Sequence, residues 1–290
     1  MTTNSRNLLR ALIASVTMGA ASSVIAAPVF SIDLSAVTGG PSSSSTIFTG
    51  DFFSGTSTEL LNTVGTSHEG SGWMQISGLS NNAVGQVPFG AGAGYIFNMY
   101  VTFTLKDHLI SGSMNAPGSK YALDELNFQL WVDKDKDTIL TNAKVTGGVA
   151  TGATVTGGVA NDYILGFGSL LTGVASLSDL GGAGLNSINA FGLCNGAGTG
   201  TVGAKAVAYA GCTNDVGSKF FFDPKPFYDL AFTEFNNTAQ GYAIGNKGEL
   251  VINSASGGVD FNRIPEPTTL ALAGIGLMGL GFSAKRRKSS

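Results

Sequence analysis

The chain has 290 residues, of which 42 are glycine and only 12% are charged. Six of its 16 basic residues sit at the two ends, so residues 28–264 hold 10 basic against 18 acidic groups, a net of −8. An acidic body without a basic cluster argues against nucleic acid or anionic lipid as a partner, and it attracts divalent cations.

The first 26 residues read as a secretory signal peptide. Arg6 and Arg10 precede an apolar stretch from Ala11 to Ala20, and small residues run up to Ala26 and Ala27. The chain is therefore expected to be exported. Residues 27–257 are long enough for one substantial core, and their Gly, Ser, Thr, Val and Phe content suits strands joined by polar turns. The expected fold is mainly β: an antiparallel β sandwich or jelly-roll-like domain.

In chain order, residues 28–34 suggest an edge strand and residues 37–46 a Ser/Gly loop. The stretch from Gly70 to Gly78 alternates Trp73, Gln75 and Ser77 against Met74 and Ile76, as a half-buried strand does. Alternation is clearest from Tyr95 to Lys106, where Phe97, Met99, Val101, Phe103 and Leu105 share a face. It recurs at Leu126, Phe128, Leu130 and Val132. The hexapeptide Val-Thr-Gly-Gly-Val-Ala occurs at 145–150 and again at 155–160. Two copies are too few for a solenoid and suggest a glycine-rich loop or hairpin. Residues 163–175 suggest two strands with a tight turn. Residues 219–235 concentrate aromatic rings, for which a core or the seam between two sheets is the common explanation. A last hairpin is expected over 242–253, turning at Gly245-Asn246-Lys247-Gly248, followed by a linker over 258–264.

Three features bear on chemistry. Cys194 and Cys212, in an exported chain, suggest a disulfide rather than a metal site or a nucleophile. Closing a loop of that length stabilises by roughly 3 kcal/mol on the chain-entropy argument. Asp133, Asp135 and Asp137 alternate as the ligands of calcium loops do. Thr138 and Lys144, however, occupy positions where an EF-hand needs glycine and glutamate, so a charged hairpin turn and a calcium site both remain open. No other cofactor is expected. The two histidines, His68 and His108, accompany no nucleophile motif and are read as solvated. The chain is thus not expected to be an enzyme. The alternative is a secreted carbohydrate-active enzyme using paired carboxylates such as Asp124–Glu125 or Glu234.

The C-terminus combines Pro265-Glu266-Pro267, an uncharged and largely apolar run of 18 residues from Pro267 to Ala284, and the cations Lys285 to Lys288. The prolines keep helix from starting before residue 268. The apolar run is about long enough for one transmembrane helix, and the cations hold its end in the cytoplasm. This order over residues 265–288 resembles the PEP-CTERM sorting signal of Gram-negative bacteria. The resemblance implies that an exosortase, a membrane-embedded cysteine protease, cuts near Pro265, Glu266 and Pro267. The protein would leave the membrane for the cell surface or matrix. Phe48-Thr-Gly-Asp-Phe-Phe-Ser-Gly, the stretch from Phe220 to Phe232 and Asn236-Asn237-Thr238 resemble the flocculation-associated branch of these proteins. That likeness implies partnership with exopolysaccharide or with further copies of the chain, in flocs or biofilm. The other expected outcome is a surface protein anchored permanently by its C-terminal helix.

Overall fold

A computed structural model of the chain describes residues 28–237 and 241–262. Its body is eight antiparallel strands: β1 (Phe52–Val64), β2 (Ser67–Asn81), β3 (Asn98–Ser111), β4 (Lys120–Asp133), β5 (Tyr163–Leu177), β6 (Ala183–Gly196), β7 (Leu230–Asn237) and β8 (Leu250–Asn262). Each pairs with its neighbours in sequence, and β8 pairs with β1. The sheet therefore closes on itself as an up-and-down barrel.

This corrects the expectation of a sandwich or jelly roll. Strands of 13–15 residues, apart from the 8-residue β7, with bulges as between Leu170 and Thr172 in β5 and Lys106 and Asp107 in β3, coil the sheet until its edges meet. Closure also removes the exposed edges that a sandwich must protect. Glycines that look like turn signals in residues 163–175 lie inside the single strand β5. At Gly168 a Cβ would collide with the Phe128 ring, so glycine there makes room for a large side chain on the next strand. Residues 258–262, expected as linker, complete β8, and Phe261 is fully buried.

Alternation places Met99, Val101, Phe103 and Leu105 of β3 and Leu126, Phe128, Leu130 and Val132 of β4 in the barrel interior, as expected. The upper end, where β1 begins and β8 finishes, is filled by rings. A three-stranded sheet of Phe221–Asp223, Phe30–Asp33 and Ile47–Gly50 covers it. Phe30, Phe221 and Phe227 meet barrel residues Phe53, Phe191 and Phe261, with Phe30–Phe261 centroids 5.1 Å apart and Phe191–Phe261 4.8 Å. Phe30 is thus a core residue and not part of an outer edge. A second cluster, including Leu61, Leu105, Tyr121, Leu126 and Leu250, fills the lower end.

Other parts of the excursions from the upper end lie on the outer wall. Within residues 138–157, the first hexapeptide forms its own hairpin, Lys144–Thr146 with Val149–Thr151. The second supplies part of Thr154–Gly157, which pairs with Thr138–Thr141. Trp73 Nε1 donates to the Thr141 carbonyl at 2.9 Å and so fixes this excursion to β2. The hairpin of Tyr242–Ile244 with Leu250–Ile252 is present as expected.

Candidate functional site

The lower end of the barrel holds three ionisable groups that sequence reasoning missed. Glu59, His68 and Asp107 project inward from β1, β2 and β3, and each is more than nine-tenths buried. His68 Nδ1 lies 2.8 Å from Asp107 Oδ1, and His68 Nε2 lies 2.7 Å from Asn115 Oδ1. The Asn115 amide is oriented by its other end: Nδ2 donates to the Gly248 carbonyl at 2.8 Å and to Thr63 Oγ1 at 2.9 Å. A carbonyl can only accept, so Oδ1 must face the histidine and Nε2 must donate. With a carboxylate on the other nitrogen, both ring nitrogens carry protons and His68 is an imidazolium. Burial alone would lower its pKa, but the hydrogen bond and charge of Asp107, with Asn115, hold it above the ordinary histidine value.

Glu59 has no hydrogen-bond partner among the described residues. Burial, reinforced by the Asp107 charge and opposed by His68, pushes its pKa up to about 7. Its carboxyl faces an apolar cavity of about 60 Å³ between Leu61, Leu105, Tyr121 and Leu250. That volume is far below what a drug-sized ligand occupies. The trio therefore reads as a stabilising and titrating device at the closed end. His68 is no solvated turn residue: the β1–β2 turn lies at 65–66, and residue 68 already faces inward. The available signal was Glu59 in phase with Leu61, two residues apart on an alternating strand.

The aspartate motif at the end of β4 is partly regrouped. Asp133, Asp137 and Asp162 bring one carboxylate oxygen each within 4.8 Å of one another. Asp135 turns away to Lys134 Nζ at 2.7 Å and Asn161 Nδ2 at 2.9 Å. Asp133 is fully buried and accepts backbone N–H groups of Lys136 at 2.6 Å and Thr138 at 3.1 Å, which shapes the turn. Asp162 Oδ2 accepts from Tyr100 at 2.6 Å and Thr138 Oγ1 at 2.8 Å, while its Oδ1 is buried without a partner. Burial, then repulsion from Asp133 and Asp137, raises the Asp162 pKa against those two hydrogen bonds. Three converging carboxylate oxygens are the donor type a hard divalent cation takes, and Asp162 was not visible in the motif.

Cys194, on β6, is joined to Cys212 by a disulfide with Cα atoms 4.9 Å apart, which fixes the 197–212 excursion to the wall. Tyr209 in that excursion stacks on Phe167 with centroids 3.9 Å apart. Asp124 lies 2.8 Å from exposed His108, and Glu125 lies 3.7 Å from Lys106. Glu234 is on the outer face of β7. Pro265, Glu266 and Pro267, the signal peptide and the expected transmembrane helix lie outside the described residues. Among the described residues, no helix is long and apolar enough to cross a membrane.

Comparison with protein-family models matches residues 263–288 to the PEP-CTERM protein-sorting motif. The chain carries a sorting tail. The PEP-CTERM motif supports processing by an exosortase and a location at the surface or outside of a Gram-negative cell. No curated protein and no solved structure matches the chain. The motif begins at residue 263, directly after β8 ends at Asn262.

Proposed function

We propose that this is a matrix protein of flocs or biofilm, freed from its sorting tail by an exosortase and held outside the cell by exopolysaccharide. The observation that carries the reading is the junction at residues 262–263. The last strand of the barrel ends where the sorting motif starts, so a cut near Pro265-Glu266-Pro267 removes the tail without removing a barrel strand. An eight-stranded body that closes on itself, acidic overall, suits a protein that must stay folded and soluble outside the cell.

The test is intact mass and cell fractionation from the native host, with and without Glu266→Ala, alongside aggregation of a deletion strain. The reading expects wild-type protein outside the cell without its C-terminal residues, retention of the variant in the membrane, and poor aggregation of the deletion strain. A full-length chain in the membrane fraction would make the tail a permanent anchor. Normal aggregation of the deletion strain would remove the matrix role.

A further inference from the structure

On the outer wall, two adjacent rungs of the sheet form a groove of about 420 Å³. One rung runs Thr172, Ile188, Phe232, Asp260, and the next runs Val174, Asn186, Glu234, Gly258. Phe52 reaches the groove from β1, its ring occupying the space that a Cβ at Gly258 would need. The surface thus offers two phenylalanine rings beside two carboxylates and an amide. Among the described residues, no lysine or arginine lines it.

No cation among the described residues of the groove compensates its negative charge. Asp260 Oδ1 is buried without a hydrogen-bond partner, whereas buried polar atoms of folded proteins almost always have one. Burial, then repulsion from Glu234 and Asp51, raises the Asp260 pKa despite a backbone hydrogen bond. A cation would satisfy this site, and aromatic faces add to the attraction for an ammonium group. A bare cation, however, has no use for Phe52, Phe232 and Ile188 together. A pyranose ring does, because one of its faces is lined by C–H bonds and its rim by hydroxyls.

We infer that this groove binds a polysaccharide containing cationic amino sugars, its ammonium groups on Glu234 and Asp260 and its ring faces on Phe52 and Phe232. The inference rests on the extracellular reading above and gives the matrix partner a chemical class. Neutral sugars would leave the carboxylates unmatched, and acidic sugars would be repelled.

The experiment titrates the exported protein with a glucosamine hexamer, an N-acetylglucosamine hexamer and a lysine hexapeptide, and compares wild type with Glu234→Gln, Phe232→Ala and Asp124→Asn. Circular dichroism establishes that each variant is folded. The glucosamine hexamer should bind, weaken with salt, and exceed the acetylated hexamer by about tenfold or more. Glu234→Gln and Phe232→Ala should each weaken it about tenfold, while Asp124→Asn, on another part of the wall, should not. Absence of glucosamine binding would overturn the inference, as would equal affinity for the acetylated hexamer. So would equal affinity for the lysine peptide with Phe232→Ala silent, which would reduce the groove to a charge patch. Matrix localisation and aggregation are scored separately, so this site can fail while the matrix role stands, and the reverse.

Discussion

The two ends of the barrel are closed by different physics. At the upper end Phe30, Phe53, Phe191, Phe221, Phe227 and Phe261 pack ring on ring, with no titrating group among them. At the lower end a protonated His68 ties β2 to β3 through Asp107, and to the loops at Asn115 and Gly248, while Glu59 faces the remaining space. Ring packing is indifferent to pH, whereas a buried ion pair beside an unpartnered carboxyl is not. The barrel interior therefore has a constant end and a tunable end, the latter opposite the strand end from which the sorting tail departs; the carboxylates of Asp133, Asp137 and Asp162 at the upper end lie outside the ring cluster.

Four variants break or sharpen that contrast. Phe261→Ala empties the centre of the ring cluster and should cost about 4 kcal/mol in denaturant unfolding, equally at pH 5 and pH 8. A pH-dependent loss would show that the ends are coupled. His68→Leu leaves Asp107 buried and unpaired, and should cost about 3 kcal/mol at pH 6. Its histidine pKa lies above the unfolded value, so the wild type keeps this contribution below about pH 6.5 and loses it as pH rises through the folded pKa. The cost of His68→Leu should accordingly shrink in alkali. Replacing both Cys194 and Cys212 by serine should remove roughly 3 kcal/mol, without pH dependence, because it frees a loop on the wall near the constant end. Asn115→Ala, which unpairs the imidazolium Nε2 and leaves the Gly248 carbonyl with the Thr63 hydroxyl as its side-chain donor, should cost about 1.5 kcal/mol, measurable as a shift in the urea midpoint.

The strands of this barrel were more legible in the sequence than its closure. Period-two alternation identifies the inward residues of β3 and β4, and the Gly-Asn-Lys-Gly turn identifies the last hairpin. Closure depends on bulges and on glycines placed beside large neighbours, such as Gly168 against Phe128, and these resemble turn signals when read locally. The linker error has the same source, because Gly257 and Gly258 look like a chain break but lie in β8. The carboxylate cluster was half legible. Asp133 and Asp137 stand in a visible motif, but Asp162 arrives from the far end of an excursion, a contact that no local spacing reveals. Glu59 and Asp107 were hidden differently. Each is an ordinary acid on a strand, and only the inward direction of its side chain gives it a role.

The most direct test of the two-ended barrel is thermal unfolding of wild type and Glu59→Gln from pH 4 to pH 8.5. The folded protein holds the Glu59 proton to about pH 7, whereas the unfolded chain releases it near 4.5. Wild type should therefore lose stability across that window relative to the variant, by about 3 kcal/mol. In a domain of this size that is a drop in Tm of about 6–12 °C, with a constant gap above pH 7. Melting curves that stay parallel throughout would mean that Glu59 does not titrate differently on folding, and would contradict the account of a tunable lower end.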